Sequence, residues 1–138
     1  MHLHPLSNNI FVPPQCAQDR NRKQRLWLTR LIGFGSTGHV WQCRFDSSDG
    51  LFAIKVVELL RKPDTKRRQR FYNEVGVYRT LEMAYQSGQL PNRIAPHCYG
   101  AFRDDGVYVL ILELCDGALN SWDELNISER WASVVTFK

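Results

Sequence analysis

A chain of 138 residues, 43% hydrophobic and 23% charged, is long enough for one modest core and has the composition of an ordinary globular domain. No apolar run approaches the roughly 18 residues of a membrane span. The start MHLHPLSNNIFVPP also lacks the basic-then-apolar order of a secretory signal. An intracellular chain, in cytoplasm or nucleus and without membrane contact, is therefore expected. Its four cysteines, Cys16, Cys43, Cys98 and Cys115, form no C-x-x-C pair and read as free thiols of a reducing compartment. His2 and His4 are not read as a metal site. The net charge of +4 is uneven: RKPDTKRRQR (61–70) carries six basic residues against Asp64 alone, whereas from Asp104 to the end seven acidic residues face Arg130 and Lys138.

In chain order, residues 1–25 form a proline-containing lead-in that reads as irregular. RLWLTRLIGFG (25–35) alternates as a strand, HVWQCRF (39–45) alternates again, and DSSDG (46–50) is a turn cluster. LFAIKVVELL (51–60) is a third strand-like run, so the segment is an antiparallel meander. Pro63-Asp64-Thr65 then opens a helix that Gly88 and Pro91 end. Its apolar stripe is Phe71, Val75, Tyr78, Leu81 and Met83 or Ala84. HCYGAFRDDGVYVLILEL (97–114) is a hairpin turned at Asp104-Asp105-Gly106. CDGALNSWDEL (115–125) reads as a turn into a short helix, and SERWASVVTFK (128–138) as the start of another. The fold class is α+β, a five-stranded antiparallel sheet with one main helix and short C-terminal helices.

The stretch LIGFGSTGHVWQC carries Gly33, Gly35 and Gly38 in G-x-G-x-x-G spacing. Alone this spacing is a weak sign, because glycine serves any tight turn. A dinucleotide loop requires a helix after its glycines, to hold the pyrophosphate at the helix N-terminus. Here a strand follows Gly38, and no G-K-[ST] ending makes a Walker loop. What remains is a glycine hairpin followed, one strand on, by Ala53-Ile54-Lys55, and by Glu74 on the packed side of the helix.

These residues resemble the protein kinase family. Gly33, Gly35, Gly38 and Val40 match G-x-G-x-x-G-x-V, and Phe52-Ala53-Ile54-Lys55 matches V-A-I-K. The resemblance covers roughly residues 26–138, and it implies a small ATP-binding lobe over 26–115. Residues 116–138 would then be a connector and the beginning of a larger lobe, cut short before the catalytic loop. By the same resemblance, Lys55 would contact the α- and β-phosphates and Glu74 would hold its side chain in place. The hairpin residues Gly33, Phe34, Gly35, Ser36, Thr37 and Gly38 would cover the triphosphate. Ile32, Val40 and Ala53 would sandwich the adenine, with Leu112 as gatekeeper and the backbones of Glu113 and Cys115 on the purine edge.

Phe34 and a tip threonine, Thr37, depart from common kinases, and Gly76 interrupts the glutamate-bearing helix. Neither H-R-D-x-x-x-x-N nor D-F-G occurs, so ATP would arrive with Mg²⁺ whose protein ligands this chain lacks. An incomplete, inactive ATP-binding fragment is expected. The alternatives are a non-catalytic kinase-like regulatory or partner-binding module and, further off, a nucleic-acid-binding domain using 20–25 and 61–70. An underside near Leu112, Leu114, Trp122, Trp131, Val134, Val135 and Phe137 is expected to expose apolar area that a protein partner would cover.

Overall fold

A computed structural model describes residues 2–6, 23–35, 38–46, 50–59, 65–114 and 131–137. Seven strands and one helix occur there: β1 (His2–Pro5), β2 (Lys23–Gly35), β3 (Gly38–Phe45), β4 (Phe52–Glu58), α1 (Thr65–Gln86), β5 (Cys98–Asp104), β6 (Val107–Glu113) and β7 (Trp131–Phe137). The strands close into a barrel in the order β1-β5-β6-β4-β3-β2-β7.

The α+β class and the single main helix are as the sequence implies. The meander β2-β3-β4 and the hairpin β5-β6 pair antiparallel, and β6 lies beside β4. The sheet is larger than the five strands expected. β1 falls in the segment read as irregular and pairs antiparallel with β5. β7 lies where a helix was expected and pairs antiparallel with β2, from Lys23↔Thr136 to Leu28↔Trp131. A two-residue parallel seam, His2↔Thr136 and Leu3↔Phe137, closes the circle.

Over the described residues 131–137 the helix expectation fails for a physical reason. WASVVTF is rich in β-branched and aromatic residues, which pack well on a pleated surface. An unpaired edge of β2 is available to it, and pairing there satisfies backbone groups that an open edge would leave bare. Val135 and Phe137 are buried inside the barrel rather than exposed on an underside, and Leu112 is buried as well. Trp122 and Cys115 lie outside the described residues, as does the short helix expected after Cys115.

Period-two alternation divides the core in two. Leu3, Leu26, Leu28, Phe45, Ile54 and Ile111 fill the barrel interior together with Phe102 and Phe137. Aromatic edges organise this interior: Phe137 lies 5.7 Å from Phe45 and 5.4 Å from Phe102 between ring centroids. On the opposite face, Ala53, Val57, Ala101, Leu110 and Leu112 pack under Phe71 and Val75 of α1. The helix stripe departs from expectation at one point. Met83 is 56% exposed, and Glu82 is turned inward at 7%.

Phe137 belongs to the strand that closes the barrel, so Phe137→Ala leaves a cavity beside two rings. The expected loss is about 3 kcal/mol of unfolding free energy in urea titration. A loss under about 1 kcal/mol would show that β7 does not complete the core.

Candidate functional site

The glycine hairpin is built by β2 and β3, with Gly35 opposite Gly38. Ser36 and Thr37, at its tip, lie outside the described residues. Phe34 is 77% exposed beside the tip, its ring 6.3 Å from that of His39. Two of the glycines differ in what the fold demands of them. A Cβ on Gly38 would sit 2.4 Å from the carbonyl oxygen of Val56, and its φ of +153° is one that side-chain-bearing residues rarely adopt. A Cβ on Gly33 would meet nothing within 4 Å. Gly38 is thus required by the chain itself, whereas the space over Gly33 is open to an approaching group.

Register carries the hairpin across the sheet. Gly33 pairs with Val40, Val40 with Lys55, and Lys55 with Leu110. The adjoining row runs Arg30, Gln42, Ala53, Leu112 and Cys98. Directly paired residues share a face, so Val40, Lys55, Ala53 and Leu112 lie on the side of the sheet that α1 covers. Ile32, Val40 and Leu114 pack in the same apolar cluster as Ala53 and Leu112.

Lys55 Nζ lies 2.6 Å from Glu74 Oε2, with side chains 14% and 28% exposed. α1 places Glu74 beside buried Val75 and one turn after buried Phe71, which docks this part of the helix on β4 and β6. The result is a half-sheltered ammonium fixed by one carboxylate, two strands across from Gly33. Such a group retains donor capacity for an anionic ligand. Glu113 is exposed at the end of β6, where its N–H donates to His97 O at 2.8 Å and its Oε1 accepts from the His97 N–H at 3.3 Å.

Two features escaped the sequence reading. Glu82 accepts from both terminal nitrogens of Arg93, one at 3.1 Å, and from Gln86 Nε2 at 3.2 Å. Arg93 in turn covers the Tyr85 ring at 4.1 Å, and His97 Nδ1 is 3.7 Å from Glu82. This cluster ties α1 to the segment before β5. The signal is present in the spacing, because 71, 75, 78 and 82 continue one helical stripe, whereas a stripe of apolar residues alone passes over Glu82 to Met83 or Ala84. The second is Arg30, 7% exposed, whose Nε and Nη2 have no hydrogen-bond partner among the described residues. It sits on the row of Ala53 and Leu112. Cys98 is no candidate nucleophile, because burial pushes its thiol up to about 12. The described residues contain no group of three or more His, Cys, Asp or Glu that could hold a metal ion.

Gly33→Ala is expected to fold with near-parental thermal stability, whereas Gly38→Ala is expected to lose about 2 kcal/mol or more, because its Cβ meets backbone. Equal stabilities in thermal melts would remove the distinction. A second expectation concerns acid. Hydrogen bonding from Arg93 holds the Glu82 carboxyl below the usual carboxylate range. A carboxyl lowered in the folded state contributes stability above its unfolded pKa and loses it as pH falls through the folded one. Unfolding free energy measured from neutral pH down through the acid limb should therefore fall more steeply in the parent than in Glu82→Gln; parallel curves would count against the pair.

No protein-family model matches the chain. Over 115 residues, 83% of its length, it is 30% identical to mitogen-activated protein kinase kinase 2 of Arabidopsis thaliana, and it spans 29% of that protein. The similarity is a distant, kinase-like one, confined to less than a third of that protein. No helix among the described residues is long and apolar enough to cross a membrane.

Proposed function

We propose that this chain binds ATP in the manner of a protein kinase small lobe. The observation that carries the reading is the 2.6 Å pair of Lys55 and Glu74 two strands across from the open space over Gly33. In this reading the backbone of Gly33, Gly35 and Gly38 lies over the triphosphate, and Lys55 donates to its α- and β-phosphates while Glu74 holds the ammonium. Ile32, Val40, Ala53 and Leu112 take the purine ring. Glu113 offers its backbone carbonyl at the ring edge. Arg30 adds open donors on the row of Ala53 and Leu112. The likeness to the Arabidopsis kinase supports the assignment and covers only a part of that protein.

The residues present fit the nucleotide better than they fit its metal. ATP would bring Mg²⁺, yet the described residues hold no carboxylate cluster for it. Phosphoryl transfer also needs a group that orients the acceptor hydroxyl, and H-R-D and D-F-G are absent from these 138 residues. Binding without turnover is therefore the proposed activity of the chain as given. A second reading, a kinase-like module that acts on a partner without chemistry, draws on the same missing motifs. The nucleic-acid reading is weaker, since it leaves Lys55, Glu74 and the glycines without a role.

ATP should raise the melting temperature of the parent in a saturable way, and Lys55→Ala should abolish the shift while still unfolding cooperatively. No shift in the parent would overturn the ATP reading. A shift unchanged in Lys55→Ala would overturn the role of the lysine. With labelled ATP, Mg²⁺ and generic protein substrates, no steady transfer is expected; transfer above background would refute the inactive assignment.

A further inference from the structure

A cavity lies on the face of the sheet opposite α1, inside the barrel, and nothing in the nucleotide reading uses it. Its volume is about 310 Å³, at the lower end of the roughly 300–1,000 Å³ of small-molecule sites. Its floor is made by Leu26, Leu28, Ile54 and Val109, each at most 7% exposed. Its rim is made by half-buried Trp41 and Val107, from β3 and β6. The cavity therefore runs from the barrel core to solvent rather than being sealed within it. Barrel mouths are a recurrent position for small ligands, because strand ends diverge there while the interior side chains stay apolar.

Among the residues that line the cavity, Glu58 is the single ionisable one. It is the last residue of β4, exposed, and paired with Val107 across the mouth. Alternation explains its position. Ile54 and Val56 line the cavity, so the next residue on the same face, Glu58, also faces it where the barrel meets water. An apolar chamber of this size with one carboxylate at its opening has a complementary ligand of defined chemistry. The body is apolar and about as large as one substituted ring, and the head is a cation that remains near water. A carboxylate head would meet like charge, and a neutral head would leave Glu58 without a partner from the ligand.

We infer that the barrel mouth bounded by Trp41, Val107 and Glu58 is a binding site for a small apolar amine, independent of the nucleotide face. The ring of the amine enters over Ile54 and Val109, and its ammonium donates to the Glu58 carboxylate.

The full chain would be titrated with 2-phenylethylamine, 2-phenylethanol and 3-phenylpropanoate, following tryptophan fluorescence and the chemical shifts of Val107 and Val109. The amine is expected to bind saturably and at least about fivefold more tightly than the alcohol, with the acid weakest. Glu58→Gln, at an exposed position where folding is not at stake, should bring amine and alcohol to equal affinity. Val107→Phe should block all three. Absence of saturable binding, equal affinities in the parent, tighter binding of the acid, or an unchanged preference in Glu58→Gln would each overturn the inference. Addition of ATP separates this site from the proposed nucleotide site: the amine should bind equally well with ATP present, and competition between the two would also overturn it.

Discussion

The arrangement depends on β4 being buried on both faces. In FAIKVVE, Phe52, Ile54 and Val56 point into the barrel while Ala53, Lys55 and Val57 point toward α1. A strand covered on one side only would need a polar residue at every second position, and β4 has one polar residue before its last, Lys55. That lysine cannot be left unpaired under a helix without a large desolvation cost, and Glu74 meets the need. A slip of one residue in this strand would send Lys55 into the barrel and Ile54 under the helix. Register, ion pair and both apolar faces are therefore one constraint, and β6, with Leu110 and Leu112 on one side and Val109 and Ile111 on the other, obeys it too.

Much of this was legible in the sequence because it is local. Strands with clean alternation, a hairpin turned by Asp-Asp-Gly and a long helix stripe declare themselves within a few residues. The Lys55–Glu74 contact was also legible, although it joins residues 19 apart, because Glu74 lies next to Val75 on a stripe whose packing partner could be inferred. The barrel was not legible. β1 has only four residues, and what makes it a strand is the edge of β5 beside it, which its own sequence does not encode. SERWASVVTFK read as the start of a helix, but the β-branched and aromatic residues of WASVVTF pair along the free edge of β2, which that segment's own sequence does not encode. Glu82 and Arg30 were missed for a common reason. A buried charge is recognised by what surrounds it, and for Glu82 that is Arg93, eleven residues away in a segment with no regular pattern.

The two faces divide labour in a way that composition does not reveal. The α1 face combines apolar packing with a fixed cation and a glycine hairpin, which suits a ligand with a flat ring and an anionic tail. The barrel face is almost purely apolar and closes on itself through stacked aromatic edges. One sheet thus presents two chemically distinct environments separated by a single layer of backbone, and side chains alternate between them residue by residue.

The seam between β1 and β7 has a kinetic consequence. His2 and Leu3 pair with Thr136 and Phe137 across nearly the whole length of the chain, so closing it carries the largest loop entropy in the molecule. The meander and the β5-β6 hairpin involve short separations and can form first, with the seam following as the last and slowest contact. By the same reasoning it is the first part to open: two residue pairs hold it, and amide protons there would exchange before those of β4 and β6. The half of the fold that carries Lys55 and Glu74 can therefore stay assembled while the barrel breathes at its seam.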